Sequence, residues 1–323
     1  MRAWVCHHLS PDRAGLRFEE NWPEPPEPGP GQVRVAMTAA ALNYPDLLML
    51  SGNYQFRPDV PFIPGVEGCG VIDEVGEGLA GELIGERVIV GARSGLLAEH
   101  VTVDAAQVRA VPHGLHDDEA AAHTVGALTA FVALVQRGRL QAGDRLLVLG
   151  AGGGMGLAAV AVGKALGATV IAAASTDTKL AAAAAAGADE LLRVDRAAPD
   201  FASVKGRVDV VYDPLGGPYF VPALRTLAWG GRYLVVGFVA GQPPAIQPNH
   251  LLIKGTELIG VRAGEQGRQN PAAGIAAREA IDRLADAGMR PHIGLRMPLA
   301  EADRLFTAMA DGTLIGKAVA LIA

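Results

Sequence analysis

The residues best suited to bind a ligand form a glycine-rich run near the middle of the chain, Gly150-Ala151-Gly152-Gly153-Gly154-Met155-Gly156. Glycines allow the backbone to turn sharply and to approach a pyrophosphate closely, and the N–H groups at the start of a following helix attract its charge. The run is therefore a candidate dinucleotide site. Cofactor contacts are predicted at Ala151, Gly153, Gly154, Met155 and Gly156.

The elements around this run must position it. An apolar stretch at 146–149 predicts a buried strand, residues 157–167 predict a helix, and 168–174 predict a second strand. Strand, glycine turn, helix and strand in this order make the βαβ unit that binds a dinucleotide. The match to the fingerprint G-x-G-x-x-G is imperfect, because Ala151 stands at its first position. A tight strand-to-helix turn without a ligand is the alternative.

The residues after the second predicted strand bear on which dinucleotide binds. An NAD site places Asp or Glu there, about twenty residues past the glycines, to hold the ribose 2′-hydroxyl. This chain has Ser175 there, with Asp177 slightly later and Lys179 after it. Ser175 can donate a hydrogen bond to a 2′-phosphate and Lys179 can neutralise it, so NADPH is predicted. The alternative for Asp177 is that it caps, with Thr176, a helix starting near Thr178.

Composition excludes several classes of protein. The length of 323 residues predicts two domains, and with half the residues hydrophobic and 19% charged a sizeable core is available. A net charge of −6 without a basic cluster argues against nucleic acid as a partner. Cys6 and Cys69 are too few for a disulfide scaffold, which indicates a reducing compartment.

No membrane association is expected either. No run of about eighteen apolar residues predicts a membrane span, and residues 1–5 predict a strand rather than the core of a signal peptide. The protein is therefore expected to be cytoplasmic.

The first part of the chain, residues 1–117, is predicted to be rich in strands. Short stretches of apolar and polar residues are separated by Pro and Gly, as in a β-rich domain. Strands are predicted at 32–37, 66–75 and 87–91, and one or two helical turns at 43–50.

The middle part, residues 118–262, alternates strand and helix. Acidic residues at 117–119 mark the start of a long helix, because the helix dipole favours negative charge there. Helices are predicted at 117–140 and 222–227, and strands at 208–212 and 231–237. The pattern indicates a parallel sheet with helices on both faces. It ends near residue 263, and residues 263–323, with a helix at 271–287 and a strand at 317–322, are expected to return to the first domain.

Several stretches carry a resemblance to a known family. The chain resembles the medium-chain dehydrogenase/reductase superfamily and, within it, the zinc-free NADPH:quinone oxidoreductases of the zeta-crystallin-like family. The resemblance covers nearly the whole chain. Its strongest stretches are 41–46, 51–54, 61–70, 124–130, 209–217 and 231–238.

The resemblance implies an α/β fold of two domains. A GroES-like β-rich catalytic domain is built from both chain ends, and a Rossmann domain with a doubly wound parallel sheet lies between them. The nicotinamide meets the substrate in a cleft. A homodimer, joined edge to edge through the Rossmann sheets, is also implied.

Two positions bear on metal binding. Zinc-dependent alcohol dehydrogenases of this superfamily place Cys where this chain has Asn43, and His where it has Val66 before Glu67. A catalytic zinc is held by three Cys, His or carboxylate side chains. The four-cysteine loop of a structural zinc site is also missing between residues 85 and 100. We therefore predict no metal.

Without zinc, the substrate must itself delocalise the charge it receives with the hydride, because no Lewis acid stabilises an alkoxide. Quinones fit, and the resemblance favours them. A reductase of α,β-unsaturated carbonyls, enoyl or 2-alkenal compounds or acyl-CoA thioesters, is the first alternative, and an NADPH-binding protein without turnover is the second. The protein is required to position NADPH and to donate hydrogen bonds to the substrate oxygen.

The resemblance also implies individual site residues. Asn43 and Tyr54 match residues that line the family's active site, and both are candidate donors to the substrate oxygen; the alternatives are a helix N-cap for Asn43 and aromatic packing for Tyr54. Thr129 matches a residue that meets the nicotinamide carboxamide, with helix packing as its alternative. Glu67 is expected to be structural. Further cofactor contacts are implied at Phe238, Asn249 and Lys317.

Two departures from the family concern the substrate. Many relatives carry a tyrosine near Leu48, so the pocket loses a polar group here. Close relatives have aromatic residues after the last Rossmann strand, where this chain has Arg262 and Ala263. Arg262 is thus a candidate cation at the pocket mouth that favours an anionic substrate.

Overall fold

The computed structural model describes residues 1–242 and 244–322. Its strands are β1 (Ala3–Cys6), β2 (Leu16–Glu19), β3 (Gln32–Leu42), β4 (Glu67–Val75), β5 (Arg87–Gly91), β6 (His100–Asp104), β7 (Val108–Ala110), β8 (Arg145–Leu149), β9 (Thr169–Ala174), β10 (Glu190–Arg193), β11 (Val208–Asp213), β12 (Leu227–Val235), β13 (Glu257–Gly260), β14 (Ile293–Pro298) and β15 (Lys317–Leu321). Its α-helices are α1 (Tyr44–Leu50), α2 (Asp117–Phe131), α3 (Gly154–Ala165), α4 (Asp177–Ala185), α5 (Phe220–Leu224), α6 (Asn249–Leu252), α7 (Ala263–Gln269), α8 (Pro271–Asp286) and α9 (Ala302–Ala310).

The chain divides into two compact units. Unit 1 contains Met1–Val125 and the chain from Arg290 onward, and unit 2 contains the described part of Gly126–Met289. Both chain ends therefore contribute to unit 1. The mixed α/β fold, with a β-rich first unit and a parallel-sheet second unit, confirms the predicted fold class.

Unit 1 is built on a mixed sheet in the order β14-β15-β3-β4-β5-β7, with β6 also paired to β3. Strand β3 extends beyond the predicted 32–37 to Leu42. Its first half alternates between buried and half-buried residues, whereas Ala39–Leu42 is wholly buried, so the second half lacks the alternation that indicates a strand. The antiparallel register pairs Ala41 with Glu67 of β4 and Leu42 with Ala318 of β15. This register brings Lys317 beside the residue that follows β3, Asn43.

Unit 2 contains a parallel six-stranded sheet in the order β10-β9-β8-β11-β12-β13. The chain proceeds outward from β8 to β10 in one direction and then from β11 to β13 in the other. The strand order thus reverses between β8 and β11, and open parallel sheets bind ligands outside the carboxyl ends of the strands at such a point.

The observed unit boundaries lie later in the chain than 117 and 262. The first boundary falls inside α2, between Val125 and Gly126, and the second falls after Met289. Helices α7 and α8 belong to unit 2, where Gln136 Nε2 donates to the carbonyl of Ala273 at 2.9 Å. The apolar face of α8, which includes Ala277 and Ile281, indicates that the helix packs but not against which part of the chain, and the returning segment starts only at Arg290.

The long helix predicted at 117–140 is observed in two parts. An α-helix reaches Phe131, and a π-helical stretch continues over Val132–Arg137. By length and composition Asp117–Arg137 could cross a membrane, but 56% of its most apolar window is buried inside the structure. Packing therefore accounts for its apolar character.

Two other predicted elements are shifted. The helix expected at 157–167 begins already at Gly154, inside the glycine run, and ends at Ala165. The helix expected at 222–227 spans Phe220–Leu224, and the following strand starts at Leu227 rather than at residue 231.

Candidate functional site

The glycine run of unit 2 forms the turn between β8 and α3. Gly150 has a positive φ of 61°, and Gly153 is the N-cap of α3. A Cβ on Gly156 would lie 2.2 Å from the carbonyl oxygen of Gly150, and one on Gly152 would lie 2.4 Å from Cβ of Lys179. Both positions therefore require glycine, and Ala151, which is fully buried, is accommodated between them.

The start of α3 suits a pyrophosphate. Gly153 has no side chain and α3 has no side-chain cap, so the first N–H groups, those of Gly154, Met155 and Gly156, are left for another acceptor. A Cβ on Gly153 would have the Gly150 oxygen, 3.6 Å away, as its nearest neighbour, so the turn is open on that side. Open space, available N–H groups and the positive end of the helix dipole together fit a bound dinucleotide phosphate.

Polar and basic side chains meet where β9 and β10 end. The hydroxyl of Ser175 accepts a hydrogen bond from Nε of Arg196 at 3.2 Å. Lys179 is half-buried, and burial, with a smaller contribution from the Arg196 charge, lowers the pKa of its ammonium group. Arg196 was missed in the sequence. Its position after β10 was the available signal, because neighbouring parallel strands end at the same edge of a sheet.

The carboxylate of Asp177, which lies between Ser175 and Lys179 in the sequence, is already engaged. Asp177 forms an ion pair with Arg193, and Thr176 caps α4 by accepting from the N–H of Lys179 at 3.2 Å. The alternative that Thr176 and Asp177 start a helix is therefore correct. Asp177 is thus the first residue of α4, and its side chain is 87% exposed.

The other predicted cofactor residues of unit 2 are spread over three elements. Thr129 is half-buried in α2, Phe238 is 44% exposed in the loop after β12, and Asn249 is exposed at the start of α6. Phe238 lies against Gly216, because a Cβ on that glycine would be 2.9 Å from Cδ1 of Phe238. The loop after β11 therefore supports the loop that carries Phe238.

In unit 1, Asn43, Glu67 and Lys317 form a buried polar cluster. Lys317 Nζ donates to Oδ1 of Asn43 at 2.6 Å and to Oε1 of Glu67 at 2.5 Å. Asn43 Nδ2 donates to the same Glu67 oxygen at 2.9 Å, and the N–H of Val125 donates to the other at 2.7 Å. Asn43 and Lys317 are each 6% exposed and Glu67 is fully buried. Glu67 thus joins three segments of the unit, which is a structural role.

The orientation of the Asn43 amide is set by its charged neighbours. Its oxygen must face the Lys317 ammonium and its nitrogen must face the Glu67 carboxylate, because the reverse would oppose donor to donor and acceptor to acceptor. The second amide hydrogen points to the carbonyl of Ala41 at 3.4 Å. Both N–H groups of Asn43 therefore have protein acceptors, and the expectation that Asn43 donates to a substrate needs correction.

Asn43 is also the N-cap residue of α1, which agrees with the helix-cap alternative. It forms a capping box with Asp46, in which Oδ2 of Asp46 accepts from the N–H of Asn43 at 2.8 Å. The other oxygen of Asp46 accepts from the N–H of Gly65 at 3.0 Å. Burial is the largest influence on Asp46 and, outweighing these bonds, raises the pKa of its carboxyl to about 6.

The surroundings of Lys317 differ from those that were predicted. It was expected to contact the cofactor, and its ammonium is instead held by Asn43 and Glu67 inside unit 1. The long separation of these residues in the chain concealed this contact from sequence analysis.

The remaining candidates lie nearer the surface. Tyr54 and Leu48 are half-buried, and Tyr54 packs against the core of unit 1. The side chain of Arg262 is 60% exposed and lies 3.9 Å from a carboxylate oxygen of Glu265. The ring of Tyr54 therefore has a packing role, as its alternative proposed. Arg262 is a solvated cation.

Over residues 1–242 and 244–322, no group of three or more His, Cys, Asp and Glu side chains is arranged to hold a metal ion. At the position of the first zinc ligand in the zinc-dependent enzymes, Asn43 contacts an ammonium group. A positively charged neighbour at this distance disfavours binding of a second cation.

The chain is similar to known proteins over nearly its whole length. Residues 29–113 match the family described as alcohol dehydrogenase GroES-like domain, and residues 154–279 match the family described as zinc-binding dehydrogenase. Quinone oxidoreductase-like protein 2 of Bos taurus is 34% identical over 322 residues, which cover 98% of this chain and 91% of that protein.

Solved structures resemble the whole chain. A probable oxidoreductase from Mycobacterium abscessus has a TM-score of 0.86 at 33% identity, with 100% of this chain and 99% of that chain covered. The quinone oxidoreductase of Thermus thermophilus, which was also solved in complex with NADPH, has a TM-score of 0.83 at 32% identity, with both chains fully covered. The chain therefore belongs to the medium-chain dehydrogenase/reductase superfamily and, within it, to the quinone oxidoreductase-like family.

Proposed function

We propose that the protein is an NADPH-dependent reductase that transfers hydride directly to quinones without a metal ion. The observation that carries this proposal is the group of Ser175, Lys179 and Arg196 at the end of β9, beside the open glycine turn. The family membership supports oxidoreductase chemistry, and the geometry of unit 2 supports the choice of cofactor.

The 2′-phosphate of NADPH carries a charge that NADH lacks. Arg196 contacts Ser175, the charge of Arg196 also acts on Lys179, and the carboxylate of Asp177 is paired with Arg193. Charge-assisted hydrogen bonds to phosphate are about twice as strong as neutral ones, so these groups favour NADPH. The Thermus relative, solved with NADPH, points the same way.

Quinones are the proposed substrates because they spread the incoming charge over the ring and both oxygens. The balanced reaction takes hydride from NADPH and a proton from solvent, giving NADP⁺ and the hydroquinone. The protein supplies binding, orientation and hydrogen bonds. Since both N–H groups of Asn43 have protein acceptors, the hydroxyl of Tyr54 is the proposed donor to the substrate oxygen. Enones remain the alternative substrate class, because the same metal-free chemistry reduces them.

We also propose that the protein is a homodimer joined at β13, the edge strand of the unit 2 sheet. An edge strand has unpaired backbone groups that can pair with a second chain. Large apolar side chains are exposed beside this edge, and we call them the edge patch: Trp229 (80%), Leu252 (79%), Ile253 (67%) and Leu258 (39%). A symmetric partner would cover them.

The two cysteines are free and buried, which agrees with the proposed cytoplasmic location.

The cofactor proposal is tested by comparing kcat/KM for NADPH and NADH in Arg196→Ala and Lys179→Ala. We expect each change to lower kcat/KM for NADPH about tenfold, equal to about 1.4 kcal/mol, while the value for NADH changes little. Lys164→Ala is the matched control, because Lys164 pairs with Asp189 on the surface. Equal use of NADH and NADPH by the unchanged protein would contradict the proposal.

A further inference from the structure

A buried carboxylate occupies the end of β11, where the strand order of the unit 2 sheet reverses. Asp213 is the last residue of β11 and is fully buried. One of its oxygens accepts from the N–H groups of Leu215 at 2.8 Å and Gly216 at 2.9 Å, and the other accepts from the hydroxyl of Tyr233 at 2.7 Å. Tyr233, in the adjacent strand β12, is also fully buried.

All three partners of Asp213 donate hydrogen bonds, so its carboxyl group acts purely as an acceptor. Burial raises the pKa of Asp213, and the three donors oppose that rise. Burial, and next the Asp213 charge, raises the pKa of the Tyr233 hydroxyl well above its usual value, so Tyr233 keeps its proton and remains the donor. A buried carboxyl group held by three donors in this way is a rigid anchor for the loop that follows.

This anchored loop, residues 214–217, fixes the loop after β12. The carbonyl of Asp213 accepts from Val236 N–H at 2.8 Å, and the carbonyl of Leu215 accepts from Ala240 N–H at 2.8 Å. Gly216 and Gly217 both have positive φ, and a Cβ on Gly217 would lie 2.3 Å from the carbonyl oxygen of Ala240. The two loops are therefore packed too closely for any side chain at these positions.

The anchored loop also reaches the glycine turn. Leu215 lies over Gly150, where a Cβ would be 3.1 Å from Cδ2 of Leu215. On its other side, Gly216 contacts Phe238. One loop thus spans from the turn proposed to bind the pyrophosphate to the exposed aromatic ring expected beside the nicotinamide.

We propose that the Asp213–Tyr233 pair is a positioning device for the nicotinamide half of NADPH, acting through the loop 214–217 on Leu215 and Phe238. This inference rests on the proposed function, because it presupposes NADPH as the ligand. The pair does not touch the adenine half, whose proposed contacts are Ser175, Lys179 and Arg196 at the end of β9. Loss of the pair is therefore expected to weaken binding of the nicotinamide half and to leave binding of the adenine half nearly unchanged.

The neighbouring residue provides a matched control. Tyr212 is also a fully buried tyrosine of β11, but its hydroxyl has no hydrogen-bond partner among the residues that the structure describes. Tyr233→Phe removes a hydrogen bond to Asp213, whereas Tyr212→Phe removes a hydroxyl without such a bond. The two variants are otherwise chemically identical.

The experiment measures two dissociation constants by calorimetry, one for NADPH and one for adenosine 2′,5′-bisphosphate, which contains only the adenine half. For Tyr233→Phe and Asp213→Asn we expect NADPH to bind about tenfold more weakly, with the bisphosphate within about twofold of the unchanged protein. Tyr212→Phe should change neither constant. Amide hydrogen exchange in residues 214–217 and 236–241 should be faster in Tyr233→Phe than in Tyr212→Phe.

An equal loss of affinity for both ligands would overturn the inference, since it would show general damage to the fold. Unchanged NADPH affinity would overturn it as well. If the buried substitutions prevent folding, Phe238→Ala decides, because Phe238 is 44% exposed and its truncation leaves the buried Asp213–Tyr233 pair in place. It should show the same selective loss of NADPH affinity, and no loss would count against the inference. If the unchanged protein binds neither ligand, the proposed cofactor itself is wrong.

Discussion

At the scale of single residues, the buried charges of unit 1 have the largest consequences. Lys317 and Glu67 form an ion pair at 2.5 Å, with side chains only 7% and 0% exposed. Removal of one partner from a buried pair leaves the other charge uncompensated, which costs about 3–5 kcal/mol. Substitution of one partner alone is therefore expected to lower stability more than substitution of both partners together.

We expect Lys317→Met to lower the free energy of unfolding by about 3–5 kcal/mol, and Glu67→Gln in the same chain to restore part of the loss. Urea unfolding measures both values. Lys164→Met is the control, because its partner Asp189 is one-third exposed and such a pair contributes about 0–1 kcal/mol. A Lys317→Met protein as stable as Lys164→Met would contradict the cluster described above.

Asp46 gives the fold a dependence on pH. Its pKa rises from 3.8 in a free carboxyl to about 6 in the fold, so between these values the folded state keeps a proton that the unfolded state releases. Stability must then fall as the pH rises through this window. The rise of about 2 pKa units corresponds to about 3 kcal/mol.

Asn at position 46 cannot titrate. As the pH rises from about 4 to about 7, we therefore expect the free energy of unfolding of Asp46→Asn to increase by about 3 kcal/mol relative to that of the unchanged protein. Urea unfolding at several pH values measures this difference. Asp303→Asn alters an exposed carboxyl and should show no comparable trend. A constant difference between the two unfolding free energies would exclude a raised pKa of Asp46. So would a gain in stability of the unchanged protein over Asp46→Asn as the pH rises.

The sequence identified most of these residues but not their partners. Asn43 was recognised from its position, whereas its engagement depends on Lys317, which lies 274 residues away and is aligned only by the pairing of β15 with β3. Arg196 was missed for a similar reason, because its contact with Ser175 follows from the pairing of β10 with β9. Local patterns predict which residue types are present, and strand register determines which of them meet.

At the scale of elements, the βαβ unit was the part most readily predicted. Its strands β8 and β9 are continuous apolar runs, and its turn depends on glycines whose spacing is visible in the sequence. Helices α7 and α8 were assigned to the wrong part of the chain, because their contacts with the π-helical stretch at Val132–Arg137 are long-range. The π-helical stretch itself has no sequence signal that distinguishes it from α2.

The edge strand β13 carries the prediction at this scale. We expect Leu258→Asp to convert the proposed dimer into a monomer, because a charge in the edge patch would be buried without a partner. Analytical ultracentrifugation measures the mass. Leu191→Asp is the matched control, since Leu191 is 48% exposed on β10, at the opposite edge of the same sheet. A monomeric unchanged protein, or a dimer that Leu191→Asp disrupts instead, would contradict the proposed interface.

At the scale of the whole molecule, the chain combines two sites with separate tasks. Unit 2 contains the glycine turn and the group of Ser175, Lys179 and Arg196 that we propose for NADPH, and unit 1 contains the buried cluster and Tyr54, the proposed donor to the substrate. Neither unit shows a metal-binding group among its described residues. The central proposal is that the substrate delocalises the negative charge that it receives with the hydride.

The most direct test is steady-state oxidation of NADPH with 1,4-benzoquinone, 9,10-phenanthrenequinone, a 2-alkenal and crotonyl-CoA, measured side by side. We predict that the quinones give the highest kcat/KM and that NADPH is used in preference to NADH. If the alkenal or the CoA thioester instead exceeds the quinones by about tenfold, a preference of about 1.4 kcal/mol in the transition state, the protein is an enoyl reductase. No turnover above background with any of the four would contradict an enzymatic function altogether.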